Sequence, residues 1–186
     1  MRVTREKAAE NRARIVEAAA RLFREQGFDG VGVDAIMSAA GLTHGGFYGH
    51  FASKDDLATE AVAAALQRSA THQARLTNLR DFVADYLSDR HVTDRGNGCA
   101  LAALGADMGR KQNGIRRAAS DYLRTQIEHV AGLFGPGSRA KRRKHALATL
   151  AGMVGALTLA RAVDDPALAK EILAAGRDAF SKAAQS

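Results

Sequence analysis

Residues 42–51 read "LTHGGFYGHF", which places Thr43, His44, Tyr48 and His50 close together among three glycines. Two imidazoles six positions apart first suggest a metal site. No Cys or carboxylate with metal-like spacing completes a ligand set, so no metal or other cofactor is expected. The other polar chemistry of the chain is sparse. No Ser/His/Asp set, helically spaced carboxylate pair or phosphate-cradling loop stands out, and "GADMG" is too short and wrongly placed for a nucleotide loop. An enzyme is therefore not expected. The distinctive feature of 42–51 is its glycine content. A glycine inside a helix costs about 1 kcal/mol relative to alanine, so Gly45, Gly46 and Gly49 together cost roughly 3 kcal/mol. With Phe47 and Phe51 four apart and pointing inward, His44, Gly45, Tyr48 and Gly49 share the outward side. A face stripped of side chains lets another backbone come very near.

The elements that must hold this face are helical. Ile15, Ala18, Ala19, Leu22 and Phe23 repeat at helical spacing in a first helix from about residue 5 to Gln26, closed by Gly27. A short helix spans Val33 to Ala40, with Ile36 and Met37 apolar and Asp34 in its first turn. Gly41 breaks it, and Thr43 is expected to cap a third short helix ending near Phe51. Ser53 caps a fourth helix, residues 54–72. Two short helices about a tight glycine turn outline a helix-turn-helix unit.

Beyond residue 75 longer helices follow. Leu79, Phe82, Val83, Tyr86 and Leu87 form a stripe, and 91–98 reads as a loop. Helices are expected at 113–134, at 139–161 and, after Asp165 and Pro166, at 166–183. The fold class is all-α, with about nine helices. An N-terminal module, 1–53, and a C-terminal one, 54–186, are joined by the helix at 54–72.

Composition agrees with a globular chain: 186 residues, 46% hydrophobic and 25% charged, with two prolines. A single cysteine, Cys99, permits no intrachain disulfide and favours a reducing, cytoplasmic setting. The longest apolar run, 146–160, is shorter than the roughly 20 residues of a membrane span, and no membrane partner is expected. The formal charge is +7. Residues 1–56 are neutral, with 8 Lys/Arg against 8 Asp/Glu, and the remainder carries 19 against 12. Within 1–14, however, Arg2, Arg5, Lys7, Arg12 and Arg14 face only Glu6 and Glu10, a basic arm suited to phosphates.

Residues 14–62 resemble the TetR family of bacterial transcriptional regulators. The resemblance rests on Leu22, Phe23, Gly27 and Phe28, on Val33, Ile36, Ala40 and Gly41, and on Gly46, Tyr48, His50, Phe51, Ser53, Lys54 and Leu57. It implies a homodimer, each subunit laying its third helix in a major groove of a pseudo-palindromic operator. It assigns Thr43, Tyr48 and Lys54 to phosphates, and His44, Gly45, Gly46, Gly49 and His50 to the groove. Gly46, Gly49 and Gly32 stand where the family often has larger or hydroxyl-bearing residues. Base reading then rests on His44, on backbone and on thymine methyls near the glycines, with more weight on DNA shape.

The resemblance also implies a small-molecule effector site in the C-terminal module, with Phe82, Tyr86, Cys99, Met108 and Tyr122 as candidate lining. Tyr86, Tyr122, Gln126 and His129 would supply its polar groups. The last two helices suggest a dimer seam built on a small-residue ridge. Its candidates are Gly152, Gly155, Ala156 and Leu157 from one helix and Ile172, Leu173, Gly176 and Phe180 from the other. The expected function is a homodimeric repressor released from its operator by an effector. The alternatives are a helical ligand-binding bundle without DNA binding and a thiol-responsive regulator through Cys99.

Overall fold

The computed structural model describes residues 5–111 and 113–182. Arg2 of the basic arm lies outside them. Among the described residues the chain is helical, without strands. The helices are α1 (Arg5–Gln26), α2 (Val33–Ala39), α3 (Lys54–Gln73), α4 (Leu79–Tyr86), α5 (Asp89–Thr93), α6 (Ala100–Met108), α7 (Asn113–Gly132), α8 (Arg139–Ala162) and α9 (Pro166–Lys182). Two 3₁₀ segments, His44–Gly49 and Arg95–Asn97, complete the order.

Caps set most boundaries. Ser53 accepts a hydrogen bond from the Asp56 amide at 3.1 Å and starts α3. Ser138 does the same for α8 through Lys141, and Asp165 accepts from Ala167 at the start of α9. The expected loop at 91–98 is instead structured. Ser88 caps α5, and Asp94 caps the Arg95–Asn97 turn six residues later. Side-chain caps so close together divide the segment into single turns that carry no apolar periodicity.

Two apolar cores form. The first joins α1, α2, the His44–Gly49 segment and α3, and it takes in Ala100, Leu104 and Met108 of α6 and Ile115 of α7. The second joins α4, α7, α8 and α9 around Phe82, Val83, Leu87, Met153, Leu157 and Leu173. Residues of α6 and α7 thus wedge the N-terminal helices against the rest of the chain. At the start of α8, where cations oppose the helix dipole, Arg139 and Arg143 both pair with Glu128 of α7.

The α8–α9 contact departs from the expected seam. A Cβ at Gly152 would collide with the Phe180 ring, and one at Gly176 would meet Leu87 at 2.9 Å. Leu157 and Leu173 are buried inside the subunit. Half the small-residue ridge therefore packs α9 on α8 and against Leu87 at the end of α4, while a Cβ at Gly155 would meet nothing within 4 Å. The outer faces show Leu147, Leu159 and Leu168. α8 is long and apolar enough to cross a membrane by length and composition. Its burial of Ala146, Met153, Leu157 and Ala160 accounts for one apolar side as protein core.

Phe47 is 1% exposed in the first core. Phe47→Ala is expected to lower unfolding free energy by about 3–5 kcal/mol, read from urea denaturation.

Candidate nucleic-acid interface

α1 and α2 form the platform for residues 42–51. The turn between α2 and the next segment closes through Gly41, whose φ is +66°, with the Leu42 amide bonded to the Met37 carbonyl at 2.9 Å. A left-handed residue is needed there, and a Cβ would also meet the Arg14 guanidinium at 2.6 Å. The expected third α-helix is a 3₁₀ segment, His44–Gly49. Six residues with three glycines gain too little from i→i+4 bonding to hold an α-helical turn. Thr43 occupies the N-cap position in extended conformation, but its side chain makes no cap hydrogen bond.

What holds the segment is its back. Phe47 and Phe51 are buried, with ring centroids 5.8 Å apart. Arg12 lies 4.2 Å over the Phe51 ring, donates to the His50 carbonyl at 3.2 Å and pairs with Glu60 of α3 at 2.6 Å. Arg12, expected among the phosphate-binding cations, is thereby an internal strut between α1, the 3₁₀ segment and α3. The His44 Nδ1 contacts the Asp34 carboxylate of α2, which fixes the ring and leaves Nε2 as its other polar atom.

The front is open. Thr43, His44, Gly45, Gly46 and Gly49 are exposed, and Tyr48 is 70% exposed although its ring edge packs on Phe47. His50 and Lys54 are half-buried at its margin, Lys54 in the first turn of α3. Arg5 is exposed at the start of α1. A Cβ on Gly45 or Gly49 would meet nothing within 4 Å, and one on Gly46 would meet only Met37 at an ordinary 3.7 Å. None of the three has positive φ. Neither packing nor backbone geometry within the subunit requires these glycines.

A second site lies behind α1. A cleft of about 290 Å³ is enclosed by α1, α3, α4, α5 and the 94–99 segment. Of the expected lining residues, Tyr86 and Cys99 reach it. Tyr122 stands one step back, donating to Gln73, which lines the cleft, at 3.0 Å. Phe82 and Gln126 are buried in the second core region, Phe82 against the His129 ring, and Met108 is in the first core. Burial raises the Tyr86 phenol well above its ordinary range. Burial lowers His91, whose Nδ1 donates to the Tyr86 carbonyl at 2.7 Å while Nε2 accepts the Cys99 amide at 2.8 Å. That pairing needs the neutral ring. Sequence reasoning missed Arg24, Arg68 and His91 in this cleft. Nothing near Arg24 in the chain marks it, since it is covered by Gly96, 72 positions away.

Residues 15–61 match the family model described as bacterial regulatory proteins, tetR family. The chain is 42% identical over 59 residues to the HTH-type transcriptional regulator AcrR of Shigella flexneri, covering 32% of this chain and 27% of that protein. It is 30% identical over 135 residues to the transcriptional regulator AcuR of Cereibacter sphaeroides, covering 64% and 59%. The matches thus span from about a quarter to three fifths of these curated relatives. Among solved structures it superposes on regulatory protein TetR from Rhodobacter sphaeroides with a TM-score of 0.74 at 25% identity, covering 92% of this chain and 97% of that one.

Two alanine substitutions separate turn geometry from the open face. Gly41→Ala is expected to cost about 1–2 kcal/mol through left-handed strain. Gly49→Ala is expected to leave stability unchanged or raise it by up to about 1 kcal/mol, both read by thermal unfolding.

Proposed function

Because residues 15–61 match the TetR family of bacterial regulatory proteins, we propose that the chain is a homodimeric, operator-binding repressor of the bacterial cytoplasm, released from DNA by a small molecule. The open face of residues 43–50 carries this reading. It is rigidly backed by Phe47, Phe51 and Arg12, and it bears glycines for which the subunit itself has no use. Close approach to an external surface gives them one. In the groove, Gly45, Gly46 and Gly49 admit base edges and thymine methyls, while His44 and His50 supply the reaching donors. Thr43, Tyr48, Lys54 and Arg5 sit where flanking phosphates would run. Residues 1–53 form the DNA-binding part, and 54–186 form the effector and dimerisation part.

The second copy docks on the outer face of α8 and α9. The seam uses Gly155, Leu147, Leu159 and Leu168, with Ala156, Ile172 and Phe180 partly buried beside it. Gly152, Leu157, Leu173 and Gly176 serve it from behind by holding the two helices together. Exposed leucines on adjacent helices form the apolar patch that a symmetric helix-pair interface covers. The effector enters the cleft behind α1 and favours the spacing of the two DNA-binding parts that fits the operator less well.

Mobility shifts on DNA from upstream of the coding region test the central reading. Wild-type protein is expected to bind with affinity falling steeply with salt. Lys54→Gln is expected to weaken binding and reduce the log–log salt slope by about 0.9, whereas Tyr48→Phe weakens binding at unchanged slope. Salt-independent or absent binding overturns the reading. Leu159→Asp is expected to convert a dimer to a monomer in analytical ultracentrifugation, with helicity retained.

A further inference from the structure

We propose that the cleft behind α1 takes a small oxyanion-bearing ligand, gripped between the guanidinium groups of Arg24 and Arg68. This deepens, and rests on, the reading of that cleft as an effector site.

The argument is one of unmatched charge. Arg24 is 6% exposed. Its Nε donates to the Gly96 carbonyl at 2.7 Å and its Nη2 to the same oxygen. A carbonyl is a dipole and does not neutralise the charge, and no ion pair to Arg24 forms among the described residues. A buried charge without a partner is costly, and natural sites keep one where a ligand completes it. Arg68 of α3 has neither an ion pair nor a hydrogen bond among the described residues, and it lines the same cleft. Arg24, Arg68 and Asn97 also border a second cleft, of about 390 Å³, that runs along α1 past Arg14, Glu17 and Arg21. Burial first, and then the charge of Arg68, draw Arg24 down to about 10. An anion between the two would relieve both effects.

The carboxylates nearby are already engaged. Asp85 binds His72 at 2.9 Å and lies 3.8 Å from Arg90. Asp94 accepts from the amide and side chain of Asn97. Glu25 pairs with Arg21. What remains unfilled is the guanidinium fork of Arg68, the geometry that meets a carboxylate or a phosphate in bidentate fashion, with Nη1 of Arg24 beside it. Within the same cleft, Ala65, Cys99 and the Tyr86 ring offer apolar surface, and the buried Tyr86 hydroxyl has no hydrogen-bond partner. An organic anion would use both the cationic and the apolar lining.

The position also supplies a route to the DNA-binding face. Arg24 stands near the C-terminal end of α1, and Arg12 on the same helix holds the His50 carbonyl. A ligand that pulls Arg24 toward Arg68 acts on the helix that backs the 3₁₀ segment.

The test is calorimetric titration of the full DNA-free chain at constant ionic strength with benzoate, inorganic phosphate and, as a neutral control, benzamide. Saturable binding of at least one anion is expected, weakened about tenfold or more in Arg68→Gln and in Arg24→Gln and unchanged in Arg75→Gln. Arg68 is exposed, so its variant remains informative if Arg24→Gln fails to fold. Binding of benzoate alone identifies a carboxylate ligand, binding of phosphate alone a phosphorylated one, and binding of both the shared oxyanion chemistry. No saturable binding of either anion, equal affinity in Arg68→Gln, or benzamide matching benzoate overturns the proposal. Operator binding is measured separately. Anion binding without DNA binding sinks only the regulatory reading, and DNA binding without anion binding sinks only this one.

Discussion

The burial of Phe47 and Phe51 is the contact on which the rest of the molecule depends. A six-residue segment with three glycines has little tendency to hold any helical form in water. Its shape comes from two aromatic side chains inserted into the core made by α1, α2 and α3. Arg12 completes the anchor by covering Phe51 and holding the last carbonyl of the segment. With the back fixed in this way, the front can be left bare without loss of order. Stability and surface chemistry are thereby assigned to opposite sides of one short element.

α1 is the member common to the first core, the glycine-rich segment and the cleft. Its apolar stripe builds the first core, Arg12 braces the 3₁₀ segment, the Arg14 guanidinium lies beside the Gly41 turn, and Arg24 reaches into the cleft. Gly96 lies so close to α1 that a Cβ there would collide with the Glu25 carboxylate. The 94–99 segment is thus pressed on the same helix from the C-terminal side. A rigid element touched by two sites is the physical requirement for coupling between them. The structure places that element without any long-range path through the core.

The cleft differs in character from the apolar pocket that aromatic and sulfur-containing residues in the chain suggested. Phe82 and Met108 pack away in the two cores, while arginines, histidines and carboxylates line the wall. Large apolar side chains gain most by complete burial, so in a small helical protein they fill the cores first. The groups left for a cleft are those that cannot be buried without partners. The same rule reshaped the expected dimer seam. Gly152 and Gly176 serve the close packing of α9 with α8 and with Leu87 at the end of α4, and Leu147, Leu159 and Leu168 are left outside.

By itself, the amino-acid order determined the longer helices, the caps at Ser53 and Asp165, the glycine turn at 41 and the inward direction of Phe47 and Phe51. These follow from periodicity and capping, which act over a few residues. The motif of residues 14–62 likewise carried the resemblance to the TetR family, whose model matches residues 15–61. Tertiary structure alone decided that the 44–49 element is 3₁₀, that Arg12 is a strut, that Thr43 caps nothing and that Arg24 is buried. Each of these depends on a partner 30 or more positions away or on competition between packing and local hydrogen bonding. The period of a sequence records which side of a helix is apolar; it does not record what the other helices bring to meet it.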